Sequence, residues 1–222
     1  MGCDYRVPVM HNLLNKKFID ELKASATFKE DSFAKEYLGL WQGGSDDSWF
    51  NFEKLQQYRK IVNPEKKNLF RENNEGFYYI AVDVARVGVL TSIQVVKVLP
   101  GADHFLKKVV FSTGLHDMHF ALQSIEIKKL VKAYSPKEVC IDGTGLGVGL
   151  MDFLVMEQVG EDGIIYPPLG CINNEDYKNY PGEKLIYLLK ANASENSAIH
   201  NNCFTQISNG HVRFLITEQE AK

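Results

Sequence analysis

Apolar residues recur at helical spacing over residues 5 to about 71. Val9, Met10, Leu13, Leu14, Phe18 and Leu22 make one series, and Phe28, Phe33, Tyr37, Leu38 and Trp41 a second. The run Gly43-Gly44-Ser45-Asp46-Asp47 breaks the pattern, and a short helix is predicted over 52–58. Residues 66–76 are charged and polar, and beyond them the period changes. Residues 77–84 (FYYIAVDV), 93–98 (IQVVKV) and 104–111 (HFLKKVVF) are rich in β-branched and aromatic side chains. Short turns such as Pro100-Gly101 join them, which predicts an antiparallel three-strand meander. Helical periodicity returns over 117–134 and stops at Pro136. Residues 137–142 (KEVCID) read as a buried strand, and 146–158 as the next helix.

The order β-β-β-α-β-α predicts an α/β fold. Its sheet is mixed, antiparallel in the meander and parallel where the fourth strand returns beside the first, with flanking helices. That is the RNase H-like arrangement. Two regions are expected: an N-terminal helical linker unit over 1–75 and the sheet domain over 76–222. A chain of 222 residues, 45% of them hydrophobic, suffices for one good core plus a smaller unit. A net charge of −3 excludes a basic field over the whole domain, so any nucleic-acid surface is a local patch. Cys3, Cys140, Cys171 and Cys203 are scattered without metal-ligand spacing, which argues against structural zinc and a disulfide framework. No segment approaches the ~18 unbroken apolar residues of a membrane span, and the N-terminus has no apolar signal core. No membrane partner is expected.

The candidate chemistry lies at strand ends. Asp83 falls near the end of the first strand and Asp142 closes the fourth, its expected neighbour. Two carboxylates brought together repel, and a divalent cation relieves that repulsion. Hard oxygen donors select Mg²⁺ or Mn²⁺, and a pair of such ions can hydrolyse a phosphodiester. After Asp142 comes Gly143-Thr144-Gly145-Leu146-Gly147-Val148-Gly149. A dinucleotide fingerprint fails because Val148 stands where glycine or alanine is needed, and no Lys-Ser/Thr completes a P-loop. Gly143, Thr144 and Gly145 are candidates for backbone contact with a nucleic-acid phosphate, with close helix packing as the competing reading. Lys184, between Lys178 and Lys190 and among Tyr177, Tyr180 and Tyr187, is a further DNA-binding candidate against a plain surface role. His116 and His119, flanking Asp117, read as capping or surface residues, and Asp152 as a solvated helical position. Trp41 and Trp49 read as anchors of the N-terminal unit.

Three stretches resemble the large terminase subunits of tailed phages. Tyr78-Tyr79-Ile80-Ala81-Val82-Asp83-Val84-Ala85-Arg86 is similar to their first nuclease motif. Val139-Cys140-Ile141-Asp142-Gly143-Thr144-Gly145-Leu146-Gly147 is similar to the second. Phe33-Ala34-Lys35-Glu36-Tyr37-Leu38-Gly39, within 28–40, resembles the link between packaging ATPase and nuclease. Together they span most of the chain. The resemblance implies a metal-dependent endodeoxyribonuclease that cuts concatemeric double-stranded viral DNA by two-metal hydrolysis, in the cytoplasm of the infected host cell. The portal and small terminase subunit would be its partners. Asp83 and Asp142 would be the catalytic metal ligands, Arg86 would touch a phosphate, and residues 1–75 would end the motor region.

Two departures matter. The family's third acidic ligand lies on a late helix beyond the strand resembled here by 211–216, so it is expected past Lys222, with the nuclease domain truncated. Family members also carry an acid shortly after the first motif, where this chain has Val87-Gly88-Val89-Leu90. No ATPase phosphate loop is present, so no ATP hydrolysis is expected. The alternative function is a catalytically incomplete docking module of the packaging motor. A sugar-kinase-like or actin-like nucleotide-binding half is a third, disfavoured because residues 87–89 hold one glycine where that fold needs a glycine-rich hairpin.

Overall fold

A computed structural model of the chain describes residues 4–25, 28, 30, 33, 36–38, 50, 52–72, 75–85 and 88–216. The chain divides into two compact units, residues 1–55 and 56–222.

In the first unit the expected helical series becomes two helices, α1 (Arg6–Met10) and α2 (Lys16–Ala24). The break has a local cause: Asn12 takes a left-handed φ of 57°, and the Asn15 side chain caps α2 by accepting from the Lys17 N–H. Ile19 is buried, and Tyr5, Phe28, Phe33 and Tyr37 form a ring cluster in which Phe33 and Tyr37 stack at 5.1 Å. The Lys23 ammonium lies 4.8 Å from the Phe33 ring centroid. Trp41 and Trp49 fall outside the described residues.

The short helix expected over 52–58 is α3 (Phe52–Gln57). There follow β1 (Arg59–Ile61), β2 (Phe77–Asp83), β3 (Leu90–Leu99), β4 (Leu106–His116), α4 (Phe120–Tyr134), β5 (Glu138–Asp142) and α5 (Leu146–Leu154). A small hairpin, β6 (Gln158–Val159) and β7 (Ile165–Tyr166), precedes β8 (Leu169–Cys171), β9 (Glu183–Leu189), α6 (Ala193–Ser208) and β10 (Val212–Leu215). The main sheet has the order β1-β10-β4-β3-β2-β5-β9-β8. Its meander β2–β3–β4 is antiparallel, and β5 lies parallel to β2, as the element order required.

Alternation along β2 separates the two faces of this sheet. Tyr78, Ile80 and Val82 are at most 4% exposed, while Ala81 and Asp83 are exposed on the other side. The buried set continues through Ile93, Val95, Val139, Ile141, Ile186 and Leu188. It packs with Ile127 and Tyr134 of α4 and Leu150, Met151 and Leu154 of α5.

Three expectations are corrected. Residues 56–75, expected with the helical unit, pack with the sheet: β1 pairs with β10, the Glu65 N–H donates to the Val110 carbonyl, and the Asn68 N–H to that of Ala133. The Glu65 carboxylate also accepts from the Tyr78 hydroxyl at 2.7 Å and the Lys97 ammonium at 3.1 Å. The helix read over 146–158 ends at Leu154, because Gln158 enters β6 and bonds to Ser124 and the Ala121 carbonyl. Finally, β9 and α6 occupy a region to which the sequence pattern assigned no element. The run Leu185–Ile186–Tyr187–Leu188–Leu189 was the legible signal of β9, a strand inserted between β5 and β8.

Candidate active site

The last register pair between β2 and β5 is Val82 with Ile141, so the next residues along each strand, Asp83 and Asp142, stand side by side. Parallel strands run on the order of 4.8 Å apart, and registered residues point to one face. Both acids are exposed, on the face opposite the apolar core. Across the sheet their row reads Gly114, Ser92, Asp83, Asp142 and Leu189.

The local backbone fixes each acid. Beyond Asp83 the chain is clamped at Ala85: its N–H donates to the Thr91 hydroxyl at 2.8 Å, and its carbonyl accepts from the Gln123 side chain at 2.9 Å. Thr91 and Gln123 are fully buried and 3.0 Å apart, so the turn after β2 is held from within the core. Beyond Asp142, one carboxylate oxygen accepts from the Thr144 N–H at 2.9 Å, and the Gly143 N–H donates to the Leu189 carbonyl. Gly145 has φ 61° as the residue before α5. A Cβ on Gly147 would lie 1.8 Å from the Asp142 carbonyl oxygen, so Gly147 is needed for the helix to start this close to the strand. The glycines therefore serve the turn itself. Two residues before Asp142, on the same face, burial pushes the Cys140 thiol up, with Glu138 and Asp142 adding to the shift. The thiol stays protonated.

The other candidates separate. Lys184 lies at the start of β9, five residues before Leu189, which is roughly 16 Å of strand away from Asp142. Its ammonium donates to the carbonyls of Lys178 and Tyr180. Lys190 follows Leu189, the register partner of Asp142, but its Cγ lies 3.0 Å from the place of a Cβ on Gly143 together with Leu188 of the covered face, so it is nearer in sequence to the acids without sharing their face. Spacing alone could not place these lysines, because the placement depends on which residues form β9. Arg86 lies outside the described residues. His119 caps α4 by accepting from the Ala121 N–H, Asp117 accepts from the Gly88 N–H, and Asp152 accepts from the Tyr177 hydroxyl. Burial, with Asp152 adding, pushes Tyr177 up to about 12.

As a cation site the donor set is two carboxylates with free oxygen lone pairs, hard donors suited to Mg²⁺ or Mn²⁺. Among the described residues no group of three acids, histidines or cysteines gathers there. A bound ion would complete its shell with water and substrate oxygens.

The sheet order, the meander and the parallel return strand define an RNase H-like fold. The chain is similar to the large terminase nuclease of thermophilic phage G20c with bound magnesium. The TM-score is 0.50 at 13% identity, over 80% of this chain and 79% of that one. The HK97 bacteriophage large terminase matches 96% of this chain at 9% identity and a TM-score of 0.49, and the match spans 44% of its own length. The human cytomegalovirus terminase nuclease domain, soaked with manganese and inhibitor-bound, matches 75% of this chain and 76% of its own at 9% identity and a TM-score of 0.38. No family model matches the chain, and no curated protein does. The likeness is one of fold. No helix among the described residues is long and apolar enough to cross a membrane.

Proposed function

We propose that this chain is the divalent-metal-dependent endonuclease domain of a viral DNA-packaging terminase, acting on double-stranded DNA. The carrying observation is the placement of Asp83 and Asp142 side by side at the ends of parallel strands, exposed on the polar face of the sheet. A bound Mg²⁺ or Mn²⁺ would polarise the scissile phosphate and lower the pKa of the attacking water. The chain supplies the rest. Asp83 and Asp142 would hold the ion, and the Thr144 N–H donates to one Asp142 oxygen, which restrains the carboxylate. Thr91 and Gln123 hold the strand end that carries Asp83. DNA would be held through its phosphates, giving salt-dependent contacts without sequence preference.

The test is Mn²⁺ titration by calorimetry alongside plasmid nicking. Asp83→Asn and Asp142→Asn should each weaken Mn²⁺ binding by about 100-fold or more and abolish nicking, since each removes a charged ligand. Unchanged Mn²⁺ affinity in both variants would end this reading. Mn²⁺ binding that needs both acids but supports no nicking would point to the docking module instead.

A further inference from the structure

At the opposite end of the sheet from Asp83 and Asp142, the start of β4 and the turn from α6 into β10 gather four basic side chains: His104, Lys107, His211 and Arg213. The register places them. Lys107 pairs with Val98 and Val98 with Phe77, and Phe77 shares its face of β2 with Asp83, so Lys107 stands on the face that carries the acids. It lies seven residues before Gly114 of their row, roughly 23 Å of strand away. Gly210, at a φ of 70°, turns the chain out of α6, and the Lys107 N–H donates to the His211 carbonyl, which ties β10 alongside.

The His104 and His211 rings stack with centroids 3.8 Å apart and planes at 16°. Gln206, near the end of α6, gives the cluster a neutral acceptor: its side-chain oxygen accepts from the Lys107 ammonium at 2.6 Å and lies 3.3 Å from His211 Nδ1. An amide oxygen only accepts, so that ring nitrogen carries its proton. Arg213 is spent, because its guanidinium donates to the Gly210 and Val212 carbonyls and lies over the Tyr58 ring. Lys107 has three donors and uses one, and the His104 side of the cluster is exposed to solvent. Among the described residues no carboxylate pairs with any of the four, and that includes Asp103 beside His104 in the chain. Burial, then His104, Lys107 and Arg213, hold the His211 pKa below its ordinary value. Basic groups thus crowd together without a counter-charge.

We propose that this cluster binds a phosphate-type dianion, held by the Lys107 ammonium and the His104 and His211 rings. A tetrahedral oxyanion supplies what the cluster lacks, negative charge and several acceptor oxygens, in charge-assisted hydrogen bonds. Gln206 cannot, since it is neutral and its one oxygen is already shared. A bound dianion favours the charged form of His211, so binding takes up a proton and tightens as the pH falls. A DNA backbone phosphate and a free phosphate monoester share this chemistry. The inference does not depend on the nuclease reading, because none of these residues borders the acidic pair.

The test uses sulfate as probe, because it stays a dianion across the neutral range. It is titrated at ionic strength held constant with chloride, and followed by calorimetry and by NMR of the histidine rings. Sulfate should bind in the low-millimolar range at pH 6 and about 5-fold or more weakly at pH 8. It should move the ring signals of His104 and His211 and leave that of His116, at the other end of β4, in place. Lys107→Met, which keeps the apolar stem, should weaken sulfate about 10-fold, and His104→Ala, which leaves the Gln206 contacts intact, several-fold. Far-UV circular dichroism checks that each variant is folded; should Lys107→Met not fold, His104→Ala and the pH comparison decide. Duplex DNA then separates the two sources of the anion. DNA affinity that falls in His104→Ala and is competed by sulfate assigns the site to a backbone phosphate, and unchanged DNA affinity assigns it to a free one. No saturable binding at tens of millimolar sulfate, equal affinity at pH 6 and pH 8, or affinity undiminished in either folded variant would overturn the proposal.

Discussion

The two faces of the central sheet are built from neighbouring residues of the same strands, yet they do different work. On β5, Val139 and Ile141 are completely buried against α4 and α5, while Cys140 and Asp142 point the other way, half-buried and exposed. On β2 the same alternation sets Tyr78, Ile80 and Val82 against Ala81 and Asp83. The covered face removes apolar area from water and supplies the stability. The open face carries small and polar residues (Ser112, Gln94, Ser92) around two carboxylates that repel without a cation. Stability and chemistry are thus divided by a period of two along one strand.

The largest effect expected from this division is in the core. Ile141→Ala, at 0% exposure, should cost about 3 kcal/mol in denaturant unfolding, as large-to-small core changes do. Cys140→Ala, one residue away on the other face, should cost less than about 1 kcal/mol. Equal costs would mean that the open face is packed too. The Asp83→Asn and Asp142→Asn variants sharpen the contrast from the other side: Mn²⁺ affinity should fall while melting temperature holds or rises, because a repulsion is removed.

Thr91 is where the two faces meet. It is fully buried in β3, but its hydroxyl holds the turn beyond Asp83. Thr91→Val keeps the shape, strands the Ala85 N–H and leaves Gln123 without a donor, at an expected cost of about 2 kcal/mol. Mn²⁺ affinity should fall several-fold along with it. A stability loss with unchanged Mn²⁺ affinity would separate the clamp from the site.

Much of this was legible in the sequence. The alternation through 77–84 and the closed run 137–142 contain the covered face, and an acid at each strand end contains the candidate site. What could not be read is non-local. β1 has three residues, and its partner β10 lies some 150 positions later, so nothing near residue 59 announces a strand. α6 is exposed along most of its length, so it lacks the apolar stripe that marks a helix; its capping box at Asn192 and Glu195 was the available local signal. Lys128 looks like any lysine in a helical series, and its burial depends on where the chain runs after α5.

That buried lysine provides the smallest and most specific contrast, because its charge lies on the face that otherwise holds apolar side chains. Its pKa is about 8 in the folded protein against an ordinary 10.5. Below pH 8 both folded and unfolded chains carry the proton, and burial of the charge is a constant cost. Between 8 and 10.5 the folded chain releases the proton while the unfolded chain keeps it, so stability rises with pH. From pH 8 to 9 the gain should be about 1 kcal/mol. Tyr134, pushed up to about 12 by burial and by Glu65, acts in the opposite sense only above pH 10, where the unfolded chain begins to ionise its phenols. Urea unfolding at pH 8 and 9, in wild type and Lys128→Met, isolates the lysine, since every other titrating group is common to both. The wild type should gain stability relative to the variant over that unit. A flat difference would show that water reaches the ammonium, and the covered face would then be open at this one point.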